Sequence, residues 1–205
     1  MTPVLRRARV PGRARPTLAA LAGALLLVGA LTGCKSQTFE KREVLPMVEV
    51  SYDEAIRMSL DEVKDSSFVS IDLHRPRSVH PEWHTVVVDE KDTSSLVRVS
   101  ASTEKLLSSG TLPADEAPDK KVLDLTDRMQ ILPEEAAKKV VKPDFGKVTS
   151  IHPDTAEERP VWTVVVATIQ QNHRFAYDVD GVTGEVLDRR PVGPGDSTLR
   201  SPARP

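Results

Sequence analysis

A pattern that occurs twice along this chain limits the folds that it can adopt. In the clearer copy, Pro133 suits the first position of a helix, and the acidic residues after it and the lysines near its end match the helix dipole. Apolar residues recur every three to four positions over 132–141, so one face of this helix must pack on another element. The β-branched run 162–169 and the alternating run 174–180 provide strands for it to cover. This copy therefore predicts an α+β unit.

The second occurrence is clearest at a strand that begins with tryptophan. The sequence Thr-Val-Val-Val at 85–88 recurs at 163–166, 78 positions later, and Trp83 and Trp162 precede the two runs. Two further matches have nearly the same offset: 53–55 with 134–136, and 102–103 with 182–183. These matches predict an internal duplication, with two units of about 60 residues each.

The first unit has its own helix and strand signals but a different turn. Ser51 and Glu54 have the spacing of a capping box, and an amphipathic helix follows them. A strand is predicted over 68–73. Where the second unit has Gly184, which adopts a positive φ at no steric cost, the first has Glu104. We therefore expect the first turn to have a different conformation.

The chain is expected to divide into six parts. In order, they are a lipoprotein signal peptide (1–33), a tether (34–46), a first unit (47–107), a linker (108–128), a second unit (129–188) and a disordered tail (189–205). The linker and the tail are rich in residues that favour turns and disorder. A unit of about 60 residues buries too little surface to be stable alone, so we expect the two units to pack through sheet faces or a shared edge.

The second unit resembles the PepSY domain, which occurs in propeptides of secreted metallopeptidases and in bacterial envelope proteins. The residues that carry the resemblance are 132–137 in the helix, 161–166 in the strand and 180–187 in the final turn. The resemblance implies a PepSY or cystatin-like fold in each unit, with one helix packed on an antiparallel β-sheet. It also implies a role in binding and restraining peptidases.

The first residues resemble the export signal of a bacterial lipoprotein. Five arginines precede the apolar run 18–31, and Leu31-Thr32-Gly33-Cys34 resembles a lipobox. The resemblance implies cleavage before Cys34 and a diacylglyceryl group on its thiol, which would hold the protein on the extracytoplasmic face of the cell membrane. Cys34 is the only cysteine, so no internal disulfide can form. The alternatives are an ordinary secretory signal with an unrelated cysteine and an uncleaved membrane helix.

Removal of residues 1–33 makes the chain more acidic. Lys and Arg fall from 28 to 23 against 30 Asp and Glu, so the formal net charge changes from −2 to −7. Nucleic-acid binding depends on Lys and Arg that neutralise phosphates, and an acidic protein is a poor candidate for it. We therefore expect no nucleic-acid partner, and contact with the membrane through the Cys34 lipid alone.

The sequence predicts no catalytic, cofactor or metal site. It contains no Gly-rich phosphate loop, Gly-x-Ser-x-Gly or His-Glu-x-x-His pattern. Zinc bound by three histidines and calcium bound by three carboxylates are alternatives, but both sets fit ordinary loop and turn residues better. The histidines are His74, His80 and His84, and the carboxylates are Asp178, Asp180 and Glu185. Trp83 and Trp162 could anchor a partner, but their position at strand starts favours packing on their own helices.

These observations predict a protein that acts by binding and not by catalysis. The leading hypothesis is a lipid-anchored extracytoplasmic lipoprotein that restrains or regulates a secreted or membrane peptidase. The alternative is a sensory or assembly module that docks on a membrane signalling protein or an envelope complex. A third class, an enzyme or a metal carrier, needs a site that the sequence does not show. The partner's binding surface is not predicted.

Overall fold

The computed structural model describes residues 45–141, 146–168 and 173–193, and its helices and strands follow one order twice. A helix, α1 (Tyr52–Glu62), precedes the strands β1 (Ser66–His74), β2 (Glu82–Asp89), β3 (Ser94–Ser100) and β4 (Leu106–Thr111). A short helix, α2 (Lys120–Arg128), leads to α3 (Pro133–Val140), β5 (Gly146–Ala156), β6 (Arg159–Thr168), β7 (Arg174–Asp180) and β8 (Val186–Val192). We call residues 45–111 the first half and residues 129–193 the second half.

Within the described residues, the strands form one antiparallel sheet in the order β4-β3-β2-β1-β5-β6-β7-β8. The two halves join at its centre, where Ile71 of β1 pairs with Ile151 of β5, and Asp72 pairs with Ser150. Of the two packing modes expected from the sequence, the halves use the shared edge.

One hydrophobic core lies between the sheet and the helices α1 and α3. The helix α1 packs on β1, β2 and β3, whereas α3 packs on β5 and β6. Both halves contribute to this core, whose fully buried members include Ile56, Ile71, Val87, Val97, Val99, Ile151, Val164 and Val179. Burial of each such side chain contributes about 1.5–3 kcal/mol. The halves therefore stabilise each other through side chains as well as through the β1–β5 ladder.

The helix α1 begins at its predicted position but lacks the predicted capping box. Ser51 is the N-cap residue, yet its side chain makes no capping hydrogen bond. Glu54, its expected partner, accepts a hydrogen bond of 2.5 Å from Arg57 instead. The arginine one turn away offers a charge-assisted bond, which is stronger than a bond to a neutral backbone N–H. The helix α3 begins at Pro133, as predicted.

Regular structure extends into both segments that were predicted to lack it. Most of β4 and all of α2 lie within 108–128, and the Asp119 side chain caps α2 by accepting a hydrogen bond of 2.9 Å from Val122 N. The strand β8 extends to Val192, inside the predicted tail, because its backbone pairs with β7. Residues 194–205 lie outside the described residues.

Corresponding residues of the two Thr-Val-Val-Val runs point to opposite faces of the sheet. Trp83 and Trp162 occupy equivalent core positions 79 residues apart, so the counterpart of Thr85 is Val164 and not Thr163. Thr163 points to the face opposite the helices, where its hydroxyl group donates to a carboxylate of β7. Strand side chains alternate between faces, and an offset of one residue therefore reverses them. The predicted offset of 78 is wrong by one residue in these strands.

Candidate functional site

Cys34, the predicted lipidation site, lies outside the described residues, as do the signal peptide and most of the tether. The described chain begins at Leu45, whose carbonyl oxygen accepts a hydrogen bond of 3.3 Å from Lys147 Nζ. The same ammonium group donates to Val48 O at 2.7 Å. This lysine of the second half therefore fixes the start of the first half. No helix in the described part of the chain is long and apolar enough to span a membrane.

The turn between β7 and β8 is built on one carboxylate and several backbone hydrogen bonds. Asp180 Oδ1 accepts hydrogen bonds of 2.9 Å from the backbone N–H groups of Val182 and Thr183. The bond from Thr183 is the main reason that the pKa of the Asp180 carboxyl is lowered. Asp180 N donates to Glu185 O at 2.8 Å, and Gly184 adopts a φ of +72° to close the turn. The carboxylate therefore acts as a cap for the turn.

Gly181 connects this turn to the segment before α3. Its carbonyl oxygen accepts hydrogen bonds from Gln130 N at 2.7 Å and Ile131 N at 2.9 Å, and its own N–H donates to Pro160 O. A Cβ atom at this position would lie only 2.8 Å from the Met129 side chain. The missing side chain thus permits the close approach of the two segments.

The tryptophans are buried and bind the segment before the helix of their own half. Trp83 Nε1 donates to Val50 O at 2.9 Å, and Trp162 Nε1 donates to Ile131 O at 2.8 Å. Their exposed fractions are 1% and 3%. Packing in their own cores is therefore confirmed, and neither residue is an exposed anchor for a partner.

The turn between β3 and β4 has the same backbone conformation as the turn between β7 and β8. The Ala101 carbonyl oxygen accepts hydrogen bonds of 2.9 Å from both Glu49 N and Val50 N. Glu104 has a φ of +52°, close to the value at Gly184. The prediction of a different first turn is therefore wrong. A left-handed residue other than glycine costs about 1–2 kcal/mol, and several backbone hydrogen bonds of about 1 kcal/mol each offset it.

Three charged or polar side chains meet at Glu82, on the face of the sheet opposite α1 and α3. This carboxylate accepts a hydrogen bond of 2.5 Å from Arg98 and is also paired with Arg75. His84 Nε2 lies 3.2 Å from the same group. A buried carboxylate needs such partners, because an unpaired charge is costly away from water. The ion pairs of Glu82 therefore stabilise the sheet.

Two of the three histidines considered as zinc ligands come together beside this carboxylate. The rings of His74 and His84 stack with their centroids 3.7 Å apart. Burial lowers the pKa of His84 to about 4 and also lowers the pKa of His74. His80 lies in an exposed loop. Over the ranges that the structure describes, no three His, Cys, Asp or Glu residues are placed to hold a metal ion.

A histidine–aspartate pair crosses the junction between the two halves. His152 Nε2 lies 2.9 Å from Asp72 Oδ1, and the histidine is only 5% exposed. In some hydrolases an aspartate orients a histidine in this way. The other ring nitrogen of that histidine then takes a proton from the nucleophile. Among the described residues, no hydrogen-bond partner lies at His152 Nδ1. The pair joins β1 to β5 beside their backbone pairing.

The three carboxylates considered as calcium ligands do not share one site. Asp178 accepts a hydrogen bond of 2.8 Å from Thr163 Oγ1 and is paired with Arg190. Asp180 Oδ1 accepts the backbone hydrogen bonds of the turn, and Asp180 Oδ2 lies 3.6 Å from Arg159 Nη1. Calcium needs six to eight oxygen ligands, and among the described residues no three His, Cys, Asp or Glu side chains, Glu185 included, are placed to hold a metal ion together. These carboxylates therefore stabilise β7 and its turn.

An exposed apolar patch surrounds the turn of the second half. We call Leu132, Val182 and Val186 the turn patch, and they are 61%, 39% and 42% exposed. At two of the three equivalent positions, the first half has Ser51 and Ser102. Exposed apolar side chains that cluster often mark interaction sites. Sequence periodicity could not identify this patch, because its members come from three different elements.

Three solved structures that are similar to this chain come from bacteria. A candidate lipoprotein from Clostridium difficile 630 has 18% identity and a TM-score of 0.45, and the match covers 74% of this chain and 99% of that chain. The C-terminal domain of YpeB from Bacillus megaterium has 9% identity and a TM-score of 0.28, with 71% and 99% covered. The YpmB protein from Bacillus subtilis has 14% identity and a TM-score of 0.24, with 68% and 96% covered. No curated protein matches the chain.

A family match covers the helix α3, the strands β5 to β7, the turn patch and most of β8. Residues 131–190 match the PepSY family, described as "Peptidase propeptide and YPEB domain". This is a regulatory or propeptide type of domain and not a catalytic one. Residues 131–190 of this chain are therefore a PepSY domain.

Proposed function

We propose that this protein is a lipid-anchored extracytoplasmic lipoprotein whose PepSY domain binds and restrains a peptidase. The observation that carries the proposal is the family match over 131–190. The family's description couples these domains to peptidase propeptides, which act on a peptidase by binding it. The two halves of the sheet are tandem copies in this proposal, supported by their equivalent tryptophan bonds and turns.

The Cys34 lipid supplies the membrane anchor in this proposal. Burial of acyl chains contributes about 0.8 kcal/mol per methylene group, and two chains are enough for stable attachment. The tether 34–46 would reach on the order of 20 Å if it is flexible. The folded part would therefore remain close to the membrane, and so would a peptidase that it binds.

The internal pairing of the charged side chains supports binding and not catalysis. Glu82, Asp72 and Asp178 each have a cationic or histidine partner within the fold. A general base or a nucleophile must instead reach a substrate with an available atom. These groups stabilise the sheet and leave the surface for recognition.

The turn patch is the surface that we assign to the peptidase. Its three side chains expose apolar area beside a turn that is held rigidly by Asp180 and Gly181. A preorganised apolar surface loses little entropy on binding, so more of the interaction energy contributes to affinity. The serines of the first half would contribute less, and we therefore assign recognition to the second half.

The test is affinity capture of the full-length protein from the envelope of cells that make it, after crosslinking. We expect a peptidase among the captured proteins, and we expect more proteolysis of secreted proteins when the gene is deleted. Replacing Leu132 and Val182 with serine should reduce capture by roughly tenfold or more, as for truncation of central interface residues. The control is Val79→Ser, because Val79 is 66% exposed but lies in the first half.

Capture without any peptidase, together with unchanged secreted proteolysis after deletion, would contradict the proposed function. Recovery of a signalling protein or an envelope complex would favour the sensory or assembly alternative. Equal capture by the turn-patch variant and by Val79→Ser would leave peptidase binding in place but reject the turn patch as its surface.

The anchor has a separate test. Cells fed with labelled palmitate should label the parent protein and not the Cys34→Ser variant, because the thiol is the proposed acylation site. The variant should also leave the membrane fraction. Identical labelling and fractionation of parent and variant would reject the anchor.

A further inference from the structure

The described chain begins at one end of the sheet, beside two connections between strands. Glu49 N donates to Ala101 O in the β3–β4 turn, and Ala101 N donates to Pro81 O in the β1–β2 connection, each at 2.9 Å. We call this end the anchor end, because the predicted tether to Cys34 continues from here. The α1–β1 connection and the β2–β3, β5–β6 and β7–β8 turns lie at the opposite end, which we call the outer end, since neighbouring strands alternate in direction.

The two ends differ in charge. The outer-end connections are 63–65, 90–93, 157–158 and 181–185, and the described anchor-end ones are 45–51, 75–81, 101–105, 141 and 173. With the described residue on either side of each included, the outer end has nine acidic and three basic residues, whereas the described part of the anchor end has three acidic and four basic ones. The overall acidity, which predicts membrane contact through the lipid alone, thus belongs mainly to the outer end.

The anchor end also exposes apolar side chains. Met47 and Val79 are 40% and 66% exposed, and Leu106 and Leu107 at the start of β4 are 43% and 47% exposed. Basic and apolar side chains together suit a lipid surface, because the cations meet anionic headgroups and the apolar groups enter the interface. The acidic outer end is repelled by the same headgroups.

We propose that the anchor end rests on the anionic headgroups of the membrane that holds Cys34, with the outer end directed away from it. This inference rests on the proposed lipid anchor and adds an orientation to it. The occupant is a lipid surface, because residues 34–44 span at most about 40 Å and join the fold at this end. The anchor therefore keeps the bilayer within reach of the basic and apolar side chains.

The length of the sheet separates the two ends electrostatically. The ten residues of β6 span about 33 Å, whereas a charge is screened over about 8 Å at physiological ionic strength. When the anchor end touches the headgroups, the outer end lies beyond their field. The turn patch surrounds the β7–β8 turn at the outer end, so the surface assigned to the peptidase faces away from the bilayer.

The experiment uses the lipoprotein purified from membranes and reconstituted in vesicles. Cys34 is the only cysteine, and it is acylated in this proposal, so Val79→Cys adds one reactive thiol at the anchor end. The matched control is Thr155→Cys near the end of β5, at the outer end. Both positions are exposed, and neither substitution changes the charge. The measured quantity is the rate at which each thiol reacts with a neutral polyethylene glycol maleimide.

Vesicles that contain phosphatidylglycerol should slow the reaction at position 79 relative to vesicles of phosphatidylcholine alone, and should leave position 155 unchanged. We expect roughly fivefold slowing, because each basic residue near an anionic surface contributes about that factor. High salt should remove the difference. Equal slowing at both positions, slowing at position 155 alone, or no slowing would overturn the proposal.

Two charge variants of Val79→Cys test the basic residues. Arg77→Gln with Lys105→Gln should return the rate on anionic vesicles to within about twofold of its value on phosphatidylcholine, because two cations are lost. Lys64→Gln with Lys91→Gln loses the same charge at the outer end and should keep the protection. All four side chains are exposed, and Lys105→Gln alone replaces the first pair if circular dichroism shows that it does not fold. Equal protection in the two variants would contradict the proposal.

The anchor and the orientation fail in different ways. The parent chain has no added cysteine and should not react with the maleimide, because its only thiol is acylated. Reaction of the parent, or its separation from floated vesicles, would reject the Cys34 anchor and the orientation with it. Attached protein that reacts equally at positions 79 and 155 on both kinds of vesicle would reject the orientation alone.

Discussion

The two turns at Glu104 and Gly184 have the same backbone conformation, although only glycine adopts a positive φ without steric cost. In both halves a carbonyl oxygen of the turn, Ala101 O or Gly181 O, accepts hydrogen bonds from two consecutive N–H groups before a helix. Only the second half has glycine at the left-handed position. The comparison shows that hydrogen bonds to the rest of the fold determine this turn, and that the local preference of one residue does not.

The side chains that cap the two turns differ more than the backbones do. Asp180 accepts two backbone hydrogen bonds of 2.9 Å. At the equivalent place, the hydroxyl group of Ser100 accepts a bond of 2.9 Å from Thr103 Oγ1 and a longer one of 3.4 Å from Ser102 N. The first half therefore retains the shape of the turn without its anionic cap.

The tryptophans provide the largest test of the equivalence between halves. Trp83→Ala and Trp162→Ala should each lower the free energy of unfolding by about 4 kcal/mol, because each removes a large buried side chain. Urea denaturation followed by circular dichroism measures the loss, and the Trp→Phe variants should lose less. A shared core predicts one unfolding transition in both variants. Two transitions, each altered by only one of the substitutions, would show that the halves unfold independently.

The histidine stack makes the first half sensitive to acid. Burial holds the pKa of His84 at about 4, below its usual value of 6.5, so the unfolded state binds more protons between these values. The free energy of unfolding should therefore fall as the pH is lowered from 6.5 to 4. His84→Thr introduces the residue that the second half has at Thr163, and it should flatten this dependence. Parallel pH profiles for parent and variant would contradict the assignment.

Exchange of the turn residues should have a smaller effect. Gly184→Ala should destabilise the fold by about 1 kcal/mol, because alanine is strained at a positive φ, whereas Glu104→Gly should be neutral or stabilising by up to about 1 kcal/mol. A Cβ at Gly184 would meet only Lys139 and Ile131 at ordinary distances, so the backbone accounts for the cost. Thermal denaturation measures both changes. Stability changes of the same sign and size in Gly184→Ala and Glu104→Gly would contradict the assignment of the same left-handed position to both residues.

The smallest expected effect is at the start of α1. Ser51→Ala should change the free energy of unfolding by only a few tenths of a kcal/mol, because the side chain makes no capping hydrogen bond, whereas Asp119→Ala should cost about 1 kcal/mol. Urea titrations of the two variants provide the measurement. A larger loss for Ser51→Ala would indicate a capping bond in solution.

Sequence patterns predicted the elements that carry strong local signals. Pro133 marks the start of α3, and Trp83 and Trp162 lie in the core as expected. The strand β5 (Gly146–Ala156) was missed, because it contains a proline and several polar residues. Its position between β1 and β6 makes it a strand, and strand formation depends on such neighbours more than on intrinsic preference.

The polar groups around the sheet could not be predicted, because they depend on register between distant strands. Asp72 and His152 are 80 residues apart in the sequence and meet only through the β1–β5 pairing. His74 and His84 were considered together, but as zinc ligands and not as stacked rings. The turn patch likewise requires the fold that brings Leu132 beside the β7–β8 turn.

The antiparallel pairing of β1 with β5 determines where partners can approach. Since neighbouring strands alternate in direction, the β3–β4 turn lies beyond the end of β1 at His74, and the β7–β8 turn lies beyond the end at Ser66. The two turns thus project from opposite ends of the sheet. A molecule docked on the turn patch would therefore leave the β3–β4 turn, at the other end of the sheet, accessible.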